Sequence, residues 1–198
     1  MSEKSDKIVT PEGRAAWCSL YTVRRNNLQP DQEGKYEVTL LIPKTTDIAP
    51  LKALAKAAMV EKFGADPAKW PKVFRNPIRD GDEKEDLDGY KGHWFINLRS
   101  AIKPPVFGPD AQPIPDLRKS EVYSGCYGKA YINAYGYDKA GNKGVSFGLQ
   151  SFQKTRDGEP FVGTIDGEKV FGKVETGKDD PKHYEAPAGA QNTKSPFN

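Results

Sequence analysis

The run YSGCYGKAYINAYGY, Tyr123 to Tyr137, is the feature that most constrains the fold of this chain. Side chains alternate faces along a strand, and this run sorts cleanly by parity. Odd positions supply Tyr123, Tyr127, Lys129, Tyr131, Asn133, Tyr135 and Tyr137; even ones supply Ser124, Cys126, Gly128, Ala130, Ile132, Ala134 and Gly136. A turn-forming DKAGNKG follows, then a second alternating run, VSFGLQSFQK. Together they predict one long β-hairpin with a row of tyrosines on one face and small, mildly apolar residues on the other. With 19 Gly and 16 Pro among 198 residues, the chain is rich in turns and unsuited to a helix bundle.

The hairpin loop sets which face is buried, because a slip of one residue exchanges the faces. A two-residue Gly141-Asn142 loop sets Tyr131 against Phe152, Lys129 against Lys154, and Ala134 against Leu149. A four-residue loop sets Ala134 against Phe147 and Ile132 against Leu149. Both pair small with large residues on the inner face, as a filled core requires, and leave the tyrosines outside. A three-residue loop would turn the tyrosines inward.

Elsewhere the chain predicts strands over RAAWCSLYTVRR, over KYEVTLLIP (Lys35–Pro43) and over HWFINLRSA (His93–Ala101). An amphipathic helix follows the second, with Leu51, Leu54, Ala55, Ala58 and Met59 as its apolar stripe, Thr46 or Asp47 as cap and Gly64 as terminator. Residues 65–91 read as irregular. The expected fold is mainly β: an OB-like five-stranded Greek-key barrel with one inserted helix. Its expected boundaries are a flexible 1–13, a domain over 14–171 and a disordered polar tail over 172–198.

A row of tyrosines interleaved with lysine suits single-stranded nucleic acid. Bases stack on flat rings at roughly 1–3 kcal/mol each while cations follow the phosphates. Tyr127, Tyr131, Tyr135 and Phe152 are the candidate stacking residues. Lys129 and Lys154 are candidate phosphate contacts, and Arg24, Arg25, Arg75, Arg79, Arg99, Lys103 and Lys143 are further cations near strands or their loops. A net charge of +3 adds only weak support for a polyanionic partner. Tyrosines also suit strands for their own sake. A carbohydrate- or protein-binding module, or an assembly protein with its tyrosine face in an oligomer interface, is the alternative.

The acidic RDGDEKEDLDG departs from the calcium-loop pattern, with Lys84 at the fifth position and Lys91 at the twelfth. It reads as a solvated loop, or as one shaped by an arginine paired with Asp80 or Asp82. Two histidines and two separated cysteines make no zinc site. No catalytic motif is found, so no enzyme activity, metal or cofactor is expected. The cysteines are expected to be reduced thiols. The N-terminus MSEKSDKIVTPEGR lacks the apolar core of a signal peptide, and no apolar run approaches the ~20 residues of a membrane span.

The order of RNPIRDGDEK, GHWFINLRS, PPVFGPDAQPIPD, the tyrosine hairpin and DGEPF resembles phage-encoded single-stranded DNA-binding proteins of the OB type, over about residues 10–165. The resemblance implies a non-enzymatic protein that coats single-stranded DNA during phage replication, recombination or repair, in the cytoplasm of the infected bacterial host. It implies no membrane association. Replication or recombination proteins are implied as further partners, with a monomer or homodimer as the unit. It draws attention to Arg75, Arg79 and the tyrosine strand. Two features depart from the family pattern. The tail beyond Gly172 balances four lysines against Glu175, Asp179, Asp180 and Glu185 instead of being acidic. The helix follows the second strand, where OB barrels place it between the third and fourth; an extra strand within 65–80 would reconcile the two.

Overall fold

The structure is a computed structural model, and it describes residues 6–25, 33–84, 86–139 and 141–161. The tail expected over 172–198 lies outside the described residues. Among the described residues eight strands and one α-helix are formed: β1 (Lys7–Val9), β2 (Gly13–Arg24), β3 (Lys35–Pro43), α1 (Ala49–Phe63), β4 (Ile78–Asp80), β5 (His93–Ser100), β6 (Val106–Phe107), β7 (Tyr127–Lys139) and β8 (Asn142–Arg156). Five close into a ring, β2–β3–β5–β8–β7 and back to β2. All the pairings of the ring are antiparallel except β5 with β8. This is the OB-like barrel that the sequence predicts.

The inner face follows from alternation. Val38, Leu40 and Ile42 of β3, Ile96 and Leu98 of β5, Ile132 and Ala134 of β7, and Phe147 and Leu149 of β8 are all buried in one core. Helix α1 packs onto that core through Leu51, Leu54, Ala58 and Met59, and Ala55 joins as a partly buried neighbour. Its N-terminus is turned by Asp47, whose Oδ1 accepts from the Ala49 N–H at 2.8 Å. Gly64 ends it, with φ +90° and its N–H on the Val60 carbonyl.

Three expectations are corrected. Residues 7–9 are not a flexible lead-in but a strand paired with β7, anchored by the buried Thr10, whose Oγ1 accepts from the Ala130 N–H at 3.0 Å. The extra strand within 65–80 exists as β4, yet it follows α1 and pairs only with β5 outside the ring. The helix therefore stays between the second and third ring strands. The acidic loop is shaped by a lysine and not by an arginine: Lys44 Nζ lies 2.6 Å from both Asp80 and Asp82, and holds both carboxyls below the usual carboxylate range.

The hairpin combines two registers. Near its turn the pairs are Ala134 with Phe147 and Ile132 with Leu149, the arrangement expected of the four-residue loop, although Lys139 and Asn142 also pair. Past Leu149 the register shifts by one, so Tyr131 meets Ser151, Ala130 meets Phe152 and Lys129 meets Gln153. The extra residue is Gln150. Such a β-bulge re-aims every side chain beyond it on the bulged strand.

Both cysteines are free thiols, Cys126 fully buried and Cys18 partly exposed. Burial pushes both above the ordinary thiol value, which makes them poor nucleophiles.

Candidate nucleic-acid interface

The tyrosines of β7 do face outward. Tyr131 and Tyr135 are 41% and 43% exposed, whereas the intervening Ile132 and Ala134 are in the core. The rise of a strand puts these two rings roughly 13 Å apart along β7.

The register extends this face sideways around the barrel. Glu37 of β3 lies opposite Arg99 of β5, Arg99 beside Gly148 of β8, Gly148 opposite Asn133 of β7, and Asn133 opposite Lys7 of β1. In the adjacent rung Thr39 lies opposite Asn97, and Ser146 opposite Tyr135. Gly148 keeps the floor low, because any side chain there would run into the Asn133 amide. Gln150 Nε2 donates to the Asn133 Oδ1 at 3.0 Å and fixes that amide across the gap.

Arginines converge on this face from separate parts of the chain. Arg79 of β4 lies with its guanidinium 4.3 Å from the Phe95 ring centre. Burial against that ring lowers its pKa, and repulsion from Arg99 and Arg75 lowers it further. Arg79 and Arg99 border one groove together with Arg24, a gathering of cations ready for an anion. Arg75 bridges to Gly144 of β8, with its N–H on the Lys143 carbonyl at 2.9 Å. Glu37 clamps two arginines, accepting from Arg24 Nη1 at 3.0 Å and Arg99 Nε at 3.2 Å.

The most informative residue of this face is one that alternation along β2 does not reveal. Ala16 pairs with Thr39 and Ser19 with Glu37, so Trp17 and Cys18 together oppose Val38 in a bulge. Trp17 sits there with φ +51°, the left-handed region that a bulky residue rarely adopts. The bulge turns its indole out, 50% exposed, with the Arg24 guanidinium 5.2 Å from the ring centre. The buried Tyr90 and Thr39 border the same groove beside it. Trp17, Arg24, Thr39, Arg79, Asn97 and Arg99 all border a groove of about 260 Å³, in which Thr39 Oγ1 donates to Asn97 Oδ1 at 3.0 Å. Strained backbone supporting an exposed aromatic ring is a pattern of functional sites. The trace in the sequence is faint: Ala15 and Leu20 are both core residues, and a spacing of five breaks strict alternation.

Trp17→Ala is expected to weaken binding of oligo-dT by roughly tenfold to a hundredfold, the range for one stacked base. Trp17→Phe should retain most of the affinity while losing much of the DNA-induced fluorescence quenching. Equal quenching in Trp17→Phe and the parent protein would place the strand elsewhere.

Three residues selected from the sequence are buried or covered. Phe152 is fully buried, because the Gln150 bulge turns it into the barrel over Gly128 and Ala130. Lys154 is turned inward by the same shift, with its Nζ 2.7 Å from Asp157 and 5.5 Å from the Tyr123 ring centre. Tyr127 keeps outward parity, but the Arg156 guanidinium covers its ring at 3.3 Å, and Glu12 holds that arginine. Lys129, Tyr131, Tyr135, Arg75, Arg79 and Arg99 remain on the outer face.

An OB-like barrel carrying exposed rings beside clustered arginines defines a nucleic-acid-binding barrel of the single-strand class. The chain belongs to the family of phage single-stranded DNA-binding proteins represented by that of Enterobacter phage Enc34, whose model matches residues 6–181. This is a family of binding proteins and not of enzymes. Protein p50 of Acyrthosiphon pisum secondary endosymbiont phage 1 is 38% identical over 137 residues, covering 65% of this chain and 73% of that protein. Among solved structures, the single-stranded DNA-binding protein from bacteriophage Enc34 in complex with ssDNA superposes with a TM-score of 0.67 at 24% identity. It covers 79% of this chain and 89% of that one. The gp2.5 single-stranded DNA-binding protein of bacteriophage T7 gives a TM-score of 0.57 at 17% identity, covering 84% and 99%. Among the described residues no helix is long and apolar enough to cross a membrane.

Proposed function

We propose that this protein coats single-stranded DNA during phage replication, recombination or repair. In this reading the strand crosses the outer face from the Trp17 groove over the glycine floor of β8 to Tyr135 and Tyr131. Bases stack on Trp17, Tyr131 and Tyr135, while Arg75, Arg79, Arg99 and Lys129 contact phosphates. The observation that carries it is the groove that the exposed Trp17 shares with Arg24, Arg79 and Arg99, on a face that the strand register continues to Tyr135 and Tyr131. Preferential binding of unpaired strands would remove secondary structure by mass action. Replication or recombination proteins are its natural further partners.

Fluorescence titration with oligo-dT, matched duplex and single-stranded RNA at several salt concentrations tests the reading. Tight, salt-sensitive binding of oligo-dT with weak duplex binding is expected. Replacing Arg75, Arg79 and Arg99 together by alanine should flatten the slope of log K against log salt by about 2, at roughly 0.7 per phosphate contact on a single strand. An unchanged slope would remove these arginines from the interface, and no binding of oligo-dT at low salt would overturn the function.

A further inference from the structure

The bulge at Gln150 also creates a recess at the edge of the stacking platform. Beyond it, Ser151 and Gln153 replace Phe152 and Lys154 on the outer face, beside Tyr131 and Lys129. Val9 of β1 rises on one side of this ribbon, opposite Tyr131, and Phe107 of β6 rises on the other, opposite Gln153. They enclose a recess of about 230 Å³. That is smaller than the roughly 300–1,000 Å³ of pockets that take drug-sized ligands, and suits one small planar ring.

The chemistry of the recess is equally specific. Its walls are two aromatic rings and an aliphatic side chain, and its polar groups are gathered on the floor. Gln153 Nε2 donates to the Gly108 carbonyl at 3.1 Å, which fixes the amide and leaves its Oε1 to accept. The Ser151 hydroxyl can donate or accept. Lys129 borders the recess, and the Lys7 ammonium lies 5.8 Å from the Tyr131 ring centre. Flat walls, a donor–acceptor floor and cations at the rim complement a nucleotide: the ring between aromatics, its polar edge on the floor, its phosphate at the lysines. Single-stranded bases are read in this way, by stacking and by bonds to their Watson–Crick edge.

We propose that this recess takes one nucleobase of the bound strand and gives an otherwise sequence-tolerant binder a base preference at a single nucleotide. The inference rests on reading the outer face as a single-stranded DNA platform. Tyr131 then forms the boundary between stacking and insertion.

The test compares dissociation constants for oligo-dT, oligo-dC and oligo-dA of equal length, with the full chain and with two variants at the floor. The parent protein is expected to spread the three by about tenfold, the discrimination of one modest edge contact. Ser151→Leu fills the recess and should bring them to within about twofold, while the protein still binds all three. Ser151→Ala, which adds no bulk, should narrow the spread in the same direction, and decides the matter if the leucine variant melts early. A spread unchanged in both variants, or a parent protein that binds all three alike, overturns the recess while leaving the platform intact. Failure of the parent protein to bind any of the three overturns the platform itself.

Discussion

Tyr131→Ala combined with Tyr135→Ala is expected to weaken oligo-dT binding by roughly 2–6 kcal/mol, with little change in melting temperature. Each ring is exposed and supports about one base, and a stacked base is worth roughly 1–3 kcal/mol. The two sites lie roughly 13 Å apart along one strand, far enough that their contributions should add. Both side chains leave the outer face without opening a core cavity, since the inward neighbours Ile132 and Ala134 are untouched. Tyr131→Phe with Tyr135→Phe should bind nearly as well as the parent protein, because the hydroxyls take no part in stacking. An alanine pair that binds normally in a folded protein would disprove the stacking assignment.

Phe152→Ala is expected to cost about 3–5 kcal/mol of stability, the range for a large aromatic removed from a packed core. The ring is fully buried and fills the space over Gly128, where a side chain would collide with it. Chemical denaturation would show the loss as a lower midpoint with an unchanged slope. The folded fraction should bind oligo-dT as the parent does. A stable Phe152→Ala protein with weakened binding would instead restore the uninterrupted register, in which this ring faces the DNA.

The contrast between Tyr131 and Phe152 shows how far alternation can be trusted. Parity along β7 keeps Tyr131 and Tyr135 on one face because β7 carries no extra residue between them. Parity carried across the turn into β8 holds from Asn142 to Leu149 and fails at Phe152, because one added residue exchanges the faces. The same event on β2 hides Trp17, which alternation alone does not bring to the outer surface. A bulge needs only one residue whose backbone can leave the ladder, and neither Trp17 nor Gln150 has a side chain that announces this.

The hairpin, the strand over Lys35–Pro43, the helix with its stripe from Leu51 to Met59 and the sharing of one strand face by the tyrosines were all determined by the sequence itself. Their signals are local periodicities that any chain segment carries whether folded or not. Three things were decided only by the tertiary structure. Arg79 and Arg99 border one groove because β4 docks on β5, and Arg75 is held beside β8 by its bridge to Gly144. Trp17 and Ser151 reach the surface because bulges shift register. Residues 7–9 become a strand because β7 offers them an edge. Each depends on pairing between segments distant in the chain, and that pairing is set by closure of the whole barrel.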